Sequence, residues 1–170
     1  MSELRFGNMP AVGLHPAWRW LGLSLIIVAL DQITKVIATR TIALHEQVPV
    51  LPSLNFTLVY NPGAAFSFLG NAGGWQRWLF VALALLAGII IARMLFGLAR
   101  GQRRLGCGLA LVLGGALGNL WDRLILGHVI DFIDIYLNHW HWPAFNVADG
   151  AITIGAVVLI VDGLRRGQVA

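Results

Sequence analysis

Four apolar runs, each close to the roughly 20 residues a helix needs to cross a bilayer, constrain this chain more than any other feature. They cover about 18–38, 76–96, 105–126 and 147–164. Lipid offers backbone N–H and C=O groups no partner, so each run is read as a helix. Composition agrees. Only 12% of the 170 residues are charged and 58% are hydrophobic, with a mean hydropathy of +0.75, whereas a soluble domain carries about 25% charged residues. The first run contains LGLSLIIVAL, the short apolar core of a secretory leader. Its pattern continues through DQITKVIA with no small-x-small cleavage site, so it is read as a retained span. The expected fold is an all-α integral membrane protein of four transmembrane helices, with residues 1–170 forming a single membrane-embedded domain. Cys107, the one cysteine, lies in an apolar run and excludes an internal disulfide.

Lysine and arginine bias sets the expected orientation. Arg5, Arg19, Arg93, Arg100, Arg103, Arg104, Arg165 and Arg166, eight of the twelve basic residues, fall on one side and assign both termini to the cytoplasm. The net charge of +4 then reflects membrane orientation, not nucleic-acid binding. Segments 39–75 and 127–146 face outward. NFTLVYNPG alternates as a short strand ending in a turn, and GAAFSFLG reads as a small amphipathic surface helix. Together they form a small extracytoplasmic β-like platform and a mobile cover between the first two spans. Trp140 and Trp142 in NHWHWP suit the headgroup belt. Gly114, Gly115 and Gly118 have small-residue packing spacing, which points to close helix contact.

The acids concentrate at that outer side. Of eight, Glu3 and Glu46 read as solvated, and Asp162 pairs with the arginines that follow it. Asp31, Asp122, Asp131, Asp134 and Asp149 all fall in outer halves of spans or in outer segments. Asp31 and Lys35 stand at i, i+4 on the first helix and form an orienting or structural pair. Arg123 follows Asp122 directly and must face elsewhere. Asp149 opens the last span, where the bland role is a helix-end acid bonded to first-turn amides. The other role is functional, since carboxylates at membrane depth are costly. Residues 132–148 can fold Asp131 back onto Asp149, and two carboxylates about 3 Å apart share one proton, giving a general acid and a general base. Asp134, expected one helical turn after Asp131, competes as the second member. Zinc chemistry is weaker, because His139 and His141 lack a third ligand and no H-E-x-x-H occurs. Nothing places Ser53 or Ser67 beside Lys35 for serine chemistry.

LDQITK (30–35), YNPGAAFSF (60–68), GGALGNLWDR (114–123), VIDF (129–132) and FNVAD (145–149) resemble, in order and spacing, the motifs of bacterial lipoprotein signal peptidases, the signal peptidase II family. The resemblance spans about 18–164. It implies an inner-membrane aspartic endopeptidase that removes signal peptides from diacylglyceryl-modified prolipoproteins, cutting just before the lipidated cysteine. It implies Asp131 and Asp149 as the catalytic pair, which sets Asp134 aside. Asn61, Gly63, Asn119, Arg123 and Asn146 match positions around substrate and inhibitor, while Asp31, Lys35 and Asp122 match structural polar positions. No metal or other cofactor is implied. The implied partners are membrane lipids and the cyclic peptide antibiotic globomycin, and nothing demands more than a monomer. Pro62 and Gly150 depart from the family pattern without touching a catalytic group. A proton-coupled transporter using the acids as a relay would carry inverted repeats or broken spans, and the sequence has neither. A scaffold in which the acids only position helices would keep its activity once the pair is neutralised.

Overall fold

The computed structural model describes residues 17–63, 74–99 and 101–167. Four helices within it are long and apolar enough to cross a membrane: α1 (Ala17–Thr41), α2 (Trp75–Phe96), α3 (Arg103–Ile125) and α4 (Val147–Gly167). Ile26, Ile33, Leu86, Ile89 and Ile160 are each more than half exposed on their outer faces. Water would not tolerate so continuous an apolar surface, whereas acyl chains match it.

Helix α3 is the least apolar of the four spans and the most buried, because it packs against all three others. Its glycines allow this. A Cβ on Gly115 would run into the Ala148 carbonyl on α4, and one on Gly118 would lie 2.6 Å from Asp31 Oδ2 on α1. An aliphatic cluster of Ile91, Leu95, Leu98, Leu109 and Leu113 closes the end of the bundle where α2 turns into α3.

The opposite end carries an antiparallel sheet of β1 (Gln47–Leu51), β2 (Leu54–Asn61), β3 (Val129–Leu137) and β4 (Trp140–His141), in that spatial order. Register runs from Leu54 opposite Ile135 to Asn61 opposite Val129, so the two outer segments, distant in sequence, are joined strand to strand. NFTLVYNPG falls largely within β2. Of the expected surface helix GAAFSFLG, all but Gly63 lies outside the described residues.

The segment around Asp134 corrects the sequence reading. Gly127, at φ 83, ends α3 in the left-handed conformation that glycine adopts freely, and the chain continues as strand β3 instead of another helical turn. The amides of Phe132 and Ile133 both donate to the Phe145 carbonyl, at 3.0 and 2.8 Å, which makes a β-bulge of two residues against one. Three residues apart on a regular strand, Asp131 and Asp134 would face opposite ways. The bulge re-aims the side chains, and both line one cavity.

Candidate active site

Asn146 stands at the start of α4 and organises the site. Its Oδ1 accepts from the Asp149 amide at 3.0 Å, while Asp149 Oδ2 accepts from the Asn146 amide at 3.2 Å. This is a reciprocal capping box at positions N-cap and N3. The amide between them, on Ala148, donates to Asp31 Oδ1 at 2.9 Å, so a carboxylate from α1 completes the cap of α4. The bland role of Asp149 as a helix-end acid is therefore real, yet only part of its environment.

With its oxygen used in the cap, Asn146 turns its Nδ2 outward and donates to Asp131 Oδ1 at 2.7 Å. One fully buried asparagine thus bonds both carboxylates. Asn119 Nδ2 donates to the other Asp149 oxygen at 2.7 Å. Lysine ammonium can only donate, so the Asn119 oxygen must face Lys35, which it meets at 3.0 Å. Asn61 Nδ2 donates to Asp131 Oδ2 at 3.0 Å, and its own oxygen accepts from the Gly63 amide at 2.9 Å. Gly63 holds φ 115, and an added Cβ would meet the Phe80 ring at 2.9 Å. The turn that orients Asn61 accordingly requires glycine.

Beneath this layer Lys35 bridges Asp31 at 2.7 Å and Asp122 at 2.8 Å, with all three side chains buried. Gln32 Nε2 donates to Asp122 Oδ1 at 2.8 Å and to the Gly118 carbonyl at 3.3 Å. The expected pair is thus a three-membered ionic cluster. Sequence reading missed Gln32, whose only signal is its place beside Asp31 in LDQITK. Arg123 turns away from Asp122: its guanidinium lies 5.0 Å from the centre of the Phe80 ring, and Nη1 reaches the Asn119 carbonyl at 3.3 Å.

Asp131 is 2% exposed, and that burial pushes its carboxyl up to about 7, with the Asp149 charge adding to the rise. Bonds from Asn61 and Asn146 and the charge of Lys35 act in the opposite sense. A carboxyl that keeps its proton near neutrality beside a second carboxyl is the arrangement needed to donate and accept protons at one centre.

The family model described as signal peptidase (SPase) II matches residues 23–165. The chain belongs to the signal peptidase II family. A lipoprotein signal peptidase of Burkholderia mallei (strain SAVP1) is 55% identical over 147 residues, covering 86% of this chain and 88% of the relative. Another from Cupriavidus taiwanensis is 52% identical over 159 residues, covering 94% and 90%. Two solved structures, each described as a bacterial membrane enzyme and determined by the in meso method at 2.3 and 1.9 Å resolution, both superpose with a TM-score of 0.77. They are 30% and 29% identical and cover 87% and 89% of this chain. With four spanning helices, this signal peptidase II relative is a multi-pass bacterial membrane protein.

Proposed function

We propose that this protein is an aspartic endopeptidase that removes the signal peptide from diacylglyceryl-modified prolipoproteins, with Asp131 and Asp149 as its catalytic pair. The observation that carries the reading is the single buried Asn146 bonded to both carboxylates, one of which holds its proton to about 7. Ionised Asp149 takes a proton from a water as that water adds to the scissile carbonyl carbon. Asp131 gives its proton to the carbonyl oxygen. The tetrahedral diol then collapses as the C–N bond breaks, one hydroxyl proton returns to Asp131, and Asp149 delivers its proton to the departing amine. That amine belongs to the lipidated cysteine, so cleavage falls just before it.

Asn61, Asn119 and Asn146 hold the two carboxylates, which is the positioning that such chemistry depends on. Gly63 and Arg123 stand beside them at the substrate side. Asp31, Lys35 and Asp122 tie α1 to α3 and to the cap of α4. The sheet is the platform over which the substrate lies. In this reading the enzyme is a monomer of the inner membrane with cytoplasmic termini and its site near the periplasmic face. Globomycin competes for the substrate's place.

The test is purified protein in detergent with a synthetic diacylglyceryl-modified precursor. Asp131→Asn and Asp149→Asn are each expected to lower kcat by at least about 10³-fold, with the parent unaffected by a chelator. Normal cleavage by either variant, or loss of parent activity on chelation, would overturn the mechanism.

A further inference from the structure

Asp134 takes no part in the chemistry above, yet it is kept at a cost. It is 4% exposed and sits on the wall of a cavity of about 580 Å³ that begins at Asp131. Asn55 Nδ2 donates to its Oδ2 at 3.1 Å, and His141 Nδ1 lies 2.9 Å from both carboxylate oxygens. Facing a carboxylate, Nδ1 is the donor, which in the neutral tautomer leaves Nε2 as an acceptor. Tyr136 stacks on the ring with centroids 5.3 Å apart and planes 19° from parallel. The His141 side chain remains 41% exposed and lines the cavity. It is an oriented polar group facing open space.

A second cavity, of about 510 Å³, includes Asp149 and is lined by Ile135, Trp140, Trp142, Phe145 and Ile154. Trp142 lines both cavities, with Asp131 in the lining of the first and Asp149 in that of the second. Their chemistry differs in degree: Gln47, Thr57 and Asn61 line the first beside Val59, Pro143 and Ala144, while aliphatic and aromatic side chains dominate the second. A precursor cut between these carboxylates has the same asymmetry. Its signal helix and acyl chains are apolar, and the chain beyond the lipidated cysteine is polar. Asp131 and Asp134 lie three strand positions apart, at most about 10 Å at the usual rise and less across the bulge, and an extended peptide covers that span in at most about three residues.

We propose that the Asp134–His141 pair is a substrate-docking point that binds the main chain of the mature segment, about three residues beyond the scissile bond. An N–H of the precursor donates to Nε2 of His141, and Asp134 fixes the ring that receives it. This inference rests on the peptidase reading above.

Two precursors test it, one ending two residues past the scissile bond and one ending six past it. The parent is expected to cleave the longer with a kcat/KM about tenfold higher. His141→Phe, which preserves the stack on Tyr136, is expected to cleave both at the parent's rate for the shorter. If His141 merely pins its turn, the variant slows both precursors by one common factor and the tenfold preference survives, which overturns the proposal. A measurement on the parent alone guards against a misfolded variant. Replacing the amide of the third residue past the bond by an ester should cost about tenfold, and unchanged cleavage would count against the docking point. A parent that cleaves both lengths equally overturns this subsite alone. A parent that cleaves neither overturns the peptidase reading and this inference with it.

Discussion

At the residue scale, Asp131 governs how the site responds to pH. Its raised pKa of about 7 means the shared proton is present below that value and lost above it. The kcat/KM for precursor is therefore expected to fall about tenfold per pH unit on the alkaline side of about 7. Asn61 stabilises the ionised form by donating to it. Removing that bond in Asn61→Leu should move the alkaline limb upward by about one unit, which corresponds to about 1.4 kcal/mol. A pH–rate profile checks this, and a limb that stays put or moves down would refute the assignment of the proton to Asp131. Both carboxylates stood out in the sequence as acids at or near span ends, but the choice of Asp131 over Asp134 came from the family resemblance and not from the residues alone. Gln32 and Asn55 did not stand out, because a neutral amide in a polar patch looks ordinary until its partners are in place.

At the scale of elements, the bond network binds α1, α3 and α4 through one cation. Lys35 faces two buried carboxylates, and removing one partner from a buried ionic group typically costs 3–5 kcal/mol. Lys35→Met should destabilise the protein by about that amount, seen as a large drop in Tm in detergent. Asp122→Asn leaves the Lys35–Asp31 pair intact and should cost less. Equal losses, or none from Lys35→Met, would show that the cluster does not hold the helices. The glycine spacing in GGALG foretold the close approach of α3 to its neighbours, since only a missing side chain permits it. The strand β3 was harder to see. Val129, Ile130, Asp131 and Phe132 are buried in succession, which erases the alternation that marks a half-buried strand. The helix-ending signal was present in Gly127. The bulge that turns Asp134 toward Asp131 depends on the Phe145 carbonyl, a partner twelve residues from Ile133 that local pattern cannot reveal.

At the scale of the whole molecule, the two ends of the bundle are chemically distinct, and that difference is the basis of the proposed orientation. Arg93, Arg103, Arg104 and Arg165 gather at the end where α2 meets α3 and α4 finishes. The sheet end carries Trp75, Trp78, Trp121 and Trp140, each more than half exposed, at the level where indole rings prefer to sit. In the proposed orientation the arginine end lies in the cytoplasm and the sheet end outside, since basic residues resist transfer outward. A Cys107→Ala background permits a direct test with single cysteines at Asn138, in the β3–β4 turn, and at Ala99, between α2 and α3. A membrane-impermeant thiol reagent applied to intact spheroplasts should label Asn138→Cys and leave Ala99→Cys unlabelled until the cells are broken. The reverse pattern would put the carboxylates on the cytoplasmic side, where exported precursors no longer present their cleavage site. The orientation is thus not a detail of topology but a condition on the chemistry, because a dyad at the ends of spans can reach only those bonds that stop at the same membrane face.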